Sequence, residues 1–161
     1  MSHHTMSARE HGTTPDQRPR MTGIGRLLVF VYGVLALAAT GRSVFQIIDR
    51  FTEAPVAFSL SAVAAVVYIL ATIALVAPGR AWYRVAWITI TFELVGVLVV
   101  GSLSLFAPAV LGLHDIDPFG RTATVWSVYG MGYLFIPLAL PVLGLLWLRK
   151  HRPRATSEER S

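Results

Sequence analysis

The stretch Arg84–Phe106, RVAWITITFELVGVLVVGSLSLF, decides the fold. Beyond Arg84 at its start it is apolar except for a few hydroxyls and one carboxylate, Glu93. A helix over this stretch is about 35 Å long at 1.5 Å per residue, enough to cross a hydrocarbon core of roughly 30 Å. Three further runs have the same character: Leu27–Ile48, Val56–Ala77 and Ala123–Leu148. The reading is an all-α fold, a four-helix transmembrane bundle occupying residues 26–149. A polar segment, 1–25, precedes it and a short basic one, 150–161, follows.

Composition supports this. Charged residues make up 14% of the chain and hydrophobic ones 54%, with a mean hydropathy of +0.58. An ordinary soluble chain carries about 25% charged residues, so this one cannot clothe a water-facing surface of normal polarity. The isoelectric point near 10.2 invites a nucleic-acid reading. The basic residues, however, sit at the ends of apolar runs and form no stripe or basic helix, so no nucleic-acid partner is expected. With no cysteine, disulfides, haem attachment and Cys-based zinc sites are excluded.

Arginine placement orients the bundle. Arg9, Arg18, Arg20 and Arg26 precede the first span, Arg80 and Arg84 flank the turn between the second and third, and Arg149, Lys150, Arg152, Arg154 and Arg160 follow the fourth. The alternate loops hold Arg42, Arg50 and Arg121 against Asp49, Glu53, Asp115 and Asp117. Both termini are therefore expected in the cytoplasm, as an even number of spans requires. Residues 1–25, broken by Pro15 and Pro19 and without a signal-peptide pattern, read as a disordered cytoplasmic tail, and the first span as retained. The basic end at Arg149, Lys150, Arg152 and Arg154 suits anionic lipid, each charge contributing about 1 kcal/mol near the surface.

Glu93 is the first candidate for chemistry. It lies about 13 Å along the helix from Arg84, near mid-bilayer. Ala86, Thr89, Glu93 and Gly96 share one small or polar face, whereas Ile88, Phe92, Val95 and Val99 form a lipid-suited one. A bare carboxylate at the membrane centre costs several kcal/mol. One reading is a neutral Glu93 that donates a hydrogen bond and locks helix packing; the other is a proton- or cation-coupled site. No second acid shares its depth, which favours packing.

By depth, Glu93 is expected to share a midplane polar cluster with Tyr68, Thr72, Thr89 and the Tyr133 carbonyl. Pro137 and Pro141 are expected to kink the fourth span, each removing an N–H and stranding a carbonyl four residues earlier. Arg42 lies about 24 Å from Arg26, in the outer leaflet, where its side chain snorkels or meets an anionic group. Tyr32, Ala36, Thr40, Ser43 and Gln46 on span one, and Ala57, Ser61 and Ala65 on span two, are stripes suited to close helix approach. His114, Asp115 and Asp117 lack metal-site spacing. No metal or cofactor is expected, and no phosphate loop, HExxH or GxSxG motif is present, so an enzyme is not expected.

The runs Phe92–Leu105 and Thr124–Tyr133, the latter followed by Pro137 and Pro141, resemble a group of small four-span integral membrane proteins of actinobacteria. The resemblance covers about Arg26 to Arg149. It implies a four-helix architecture in a Gram-positive plasma membrane, and no functional residue. The functional expectation is a small accessory or structural multi-pass protein, associating with itself or a larger membrane partner. The competing class is a small proton- or cation-coupled transporter or channel using Glu93.

Overall fold

The computed structural model describes residues 23–113, 117, 119 and 121–152. Most of the leading segment, together with His114, Asp115, Pro118, Gly120, Arg154 and Arg160, lies outside them. Four α-helices carry the fold: α1 (Gly23–Arg50), α2 (Pro55–Val76), α3 (Arg80–Phe106) and α4 (Ile136–Lys150). Two 3-10 segments, Pro108–Leu111 and Ser127–Tyr133, lie between α3 and α4. The helices α1, α2 and α3 are each long and apolar enough to cross a membrane. The described residues are thus compatible with a small membrane protein of three or four apolar spans.

Local sequence explains the boundaries. Pro55 occupies the first turn of α2, where a missing N–H costs nothing. Between α2 and α3, Gly79 adopts a φ of 112°, a conformation open to glycine and strained for other residues, and α3 starts directly after it. The helix therefore begins at Arg80, one turn before the start expected from hydropathy. Each helix packs on the next, and α4 closes back on α1. The start of α1 and the end of α4 meet at one end of the bundle, where Gly25 lies under the Trp147 ring. At the same end the Tyr83 hydroxyl donates to the Leu148 carbonyl at 3.0 Å.

The fourth span departs from the expected continuous helix over Ala123–Leu148. Only Ile136–Lys150 is α-helical there, and it meets Ser127–Tyr133 at a bend of 98°. Fifteen residues of α-helix extend about 22 Å, which is short of a bilayer core. The cause is local backbone geometry. Val128, Tyr129 and Gly130 take left-handed φ values of 49°, 56° and 79°, and Leu134 and Phe135 take 55° and 58°. Pro137 consequently stands in the first turn of α4 instead of kinking a longer helix, and its ring packs over Gly130. Pro141 does lie inside α4.

Helix α3 is notched to receive this irregular segment. A Cβ added at Gly96 would lie 2.8 Å from Cζ3 of Trp126, and one at Gly101 would meet the Tyr129 ring and backbone. Trp126 is itself fully buried, so its ring has no room to swing aside. Gly96→Val is expected to cost about 1–3 kcal/mol through overpacking. Gly41→Ala, at a site with nothing within 4 Å of the added carbon, is expected to leave stability unchanged or slightly raised. Thermal unfolding of the detergent-solubilised variants checks both.

Candidate functional site: a sealed carboxyl at the centre of the bundle

Glu93 is completely buried. Its Oε2 accepts a hydrogen bond of 2.7 Å from the Tyr32 hydroxyl of α1. Its Oε1 is buried without a hydrogen-bond partner. The inward face read from the sequence is the buried one: Ala86, Thr89 and Glu93 are buried, whereas Ile88, Phe92, Val95 and Val99 are exposed. Glu93 reaches α1 through the Tyr32 hydroxyl, and Ile90 on the same stretch of α3 meets Gly144 of α4. Gly144 of α4 passes the same point, since a Cβ there would sit 3.6 Å from the Tyr32 hydroxyl.

A second polar pair completes the centre. The Trp126 indole N–H donates to the Tyr68 hydroxyl at 3.0 Å. The Tyr32 and Tyr68 rings lie 6.2 Å apart at a tilt of 52°, within the range where aromatic pairs attract. Tyr32, Tyr68, Phe58, Ile90 and Trp126 are all essentially inaccessible. The carboxyl thus lies in a closely packed interior where three large side chains, Tyr32, Tyr68 and Trp126, bring polar tips to it or to each other.

The structure brings together only part of the cluster expected from depth. Tyr68 lies within electrostatic range of Glu93; at Tyr133 it is the phenol, and not the carbonyl expected, that comes within range of Tyr68. The Thr72 hydroxyl instead donates to the Tyr68 carbonyl at 2.7 Å, and that of Thr89 to the Val85 carbonyl at 2.9 Å. Each satisfies itself on its own helix, the ordinary fate of a helical threonine. Two residues central to the site, Tyr32 and Trp126, give a different signal in sequence. Tyr32 falls in a packing stripe, and Trp126 near the end of an apolar run, where aromatic residues commonly mark a membrane interface. The available signal was Gly96, one turn from Glu93, which leaves a notch for a large ring.

Arg42 and Gln46 work at the end of the bundle away from Trp147. The Arg42 guanidinium donates to the Ala123 carbonyl at 2.7 Å, and Gln46 Nε2 donates to the Arg121 carbonyl at 3.1 Å. They anchor the chain where it enters the irregular segment. Within that segment Thr124 and Ser127 bond locally, the Thr124 N–H donating to Ser127 Oγ at 2.9 Å. Val128 then donates its N–H to Ser104 Oγ of α3 at 2.7 Å. These side chains replace the backbone ladder that left-handed geometry removes.

No protein-family model matches the chain, nor does any curated protein or solved structure. The site's chemistry therefore rests on its own geometry: a buried acid with one donor, one unfilled oxygen and an aromatic wall.

Tyr32→Phe removes the donor to a fully buried oxygen and is expected to cost about 1–3 kcal/mol. Thr72→Val loses only a bond within its own helix and is expected to cost less than about 1 kcal/mol. The contrast is read from unfolding midpoints in one detergent.

Proposed function

We propose that this chain is a small polytopic plasma-membrane protein that serves an accessory or structural role through helix–helix association, with itself or with a larger membrane partner. The observation carrying this reading is the filled centre. Glu93 is inaccessible, bonded to Tyr32, and enclosed by side chains that are themselves inaccessible. Such a centre holds helices in register and offers no ready path for a solute. The outward faces are strongly apolar, with Phe30, Leu37, Ile48, Ile88 and Phe106 exposed, as helices facing lipid or neighbouring helices are. The resemblance to small four-span membrane proteins of actinobacteria bears on the architecture and carries no role with it; no catalytic role is included in the proposal.

Four passes with both termini in the cytoplasm complete the proposal. The support is the meeting of the start of α1 and the end of α4 at one end of the bundle, together with the arginines that the sequence places around Arg26, Arg80, Arg84 and Arg149. In a protein without native cysteine, Ala81→Cys is expected to be shielded from an impermeant thiol reagent in intact cells. Thr52→Cys, at the opposite end, is expected to label. The reverse pattern contradicts the orientation.

A second reading, a proton- or cation-coupled transporter, is favoured by one observation. The fourth span is broken, and a buried acid with an unfilled oxygen lies beside the break. Interrupted helices near a midplane acid recur in transporters. Glu93→Gln separates the two. The amide oxygen can still accept from Tyr32, so the accessory reading expects normal assembly and an unfolding midpoint within a few degrees of the parent. Loss of a pH-dependent flux in proteoliposomes, with assembly intact, would establish the transport reading instead.

A further inference from the structure

At the end of the bundle where α4 stops, three guanidiniums converge. Arg80 and Arg84, one turn apart on α3, and Arg152, just beyond α4, line a pocket of about 340 Å³ with Tyr83 and Trp87. The Tyr83–Leu148 hydrogen bond ties α3 to the end of α4 and so sets the spacing of the two arginine groups. Among the described residues no acid balances them. Asp49, Glu53 and Asp117 lie toward the opposite end and Glu93 lies in the interior. The first turn of α3 adds to the positive field, because it starts at Arg80 without a side-chain cap and its leading N–H groups stay available.

The opposite end offers a useful contrast. A second basic pocket there is lined by Arg42, Arg50 and Arg121. Arg42 is engaged with the Ala123 carbonyl, and Arg50 with Glu53 at 3.5 Å. The arginines of that pocket are largely occupied by their own chain. Those of the first are exposed, on the first turns of α3 and just beyond α4.

We propose that the Arg80–Arg84–Arg152 pocket binds a phosphate group, carried by the headgroup of an anionic membrane lipid. Guanidinium forks match phosphate oxygens in bidentate geometry, and three of them around one pocket recognise such a group better than scattered charge does. Tyr83 and Trp87 border the pocket, and aromatic side chains of this kind favour the headgroup level. The inference rests on the membrane reading above and is independent of which role the bundle plays.

The test uses the full chain in a neutral detergent. Native mass spectrometry follows binding of phosphatidylglycerol, phosphatidylcholine and, as the soluble arm, inorganic phosphate. The parent is expected to bind phosphatidylglycerol at least tenfold more tightly than phosphatidylcholine, and the Arg80→Gln/Arg84→Gln variant to lose most of that preference. Arg50→Gln/Arg121→Gln removes two charges from the opposite end, outside the pocket, and is expected to change affinity less than about threefold. Phosphatidylglycerol binding that survives millimolar phosphate supports a lipid occupant. Equal losses in the two double variants, equal affinity for the two lipids, or displacement by inorganic phosphate would overturn the proposal. Retention of the protein in alkaline-washed membranes is scored separately, so that failure of the membrane reading is distinguishable from failure of the pocket.

Discussion

A bilayer interior supplies no hydrogen-bond partners, so every backbone group at that depth must be satisfied by the protein itself. Helices α1, α2 and α3 meet this requirement through their own ladders. The stretch between Ala123 and Phe135 does not, because five of its residues take left-handed φ values. Val128 is the severest case, since a β-branched side chain is rarely found there. A residue held in such a region costs of order 1–3 kcal/mol and persists only where its surroundings over-determine it. Here the surroundings do: Arg42 and Gln46 hold the entry, Ser104 takes the Val128 N–H, and Gly96 and Gly101 admit the Trp126 and Tyr129 rings. Two neighbouring helices, α1 and α3, carry features that match this segment.

The same seating organises the centre. Once Trp126 drops into the Gly96 notch, its indole reaches Tyr68, and the Tyr68 ring approaches Tyr32. Tyr32 in turn holds Glu93. The buried acid is thus linked through aromatic side chains to the irregular segment that precedes α4. A change at either end is felt at the other through packing, because interiors this dense have little slack. This linkage suits a protein whose task is to hold a defined shape for a neighbour, and it also shows where a moving part would act if the bundle carried a flux.

Much of this was legible in the sequence. Hydropathy located the helices, with Pro55 and Gly79 marking boundaries, and spacing alone put Glu93 on the buried face of α3. The break in the fourth span was not legible. Residues Thr124–Tyr133 are apolar enough to read as helix, and their left-handed geometry comes from tertiary contacts with α3. Trp126 illustrates the limit. Its position near a span end matched an interfacial belt, yet the Gly96 notch draws it into the core. Thr72 and Thr89 illustrate another. Depth made them neighbours of Glu93, but hydroxyls bond most readily to the preceding turn of their own helix.

The account stands on the irregular segment being satisfied by side chains within the bundle. Amide hydrogen exchange at Val128 in the reconstituted protein, with and without Ser104→Ala, tests this most directly. The expected result is protection comparable to the α3 backbone in the parent, lost at Val128 in the variant while α3 itself stays protected. Rapid exchange of Val128 in the parent, or protection indifferent to Ser104, would contradict it.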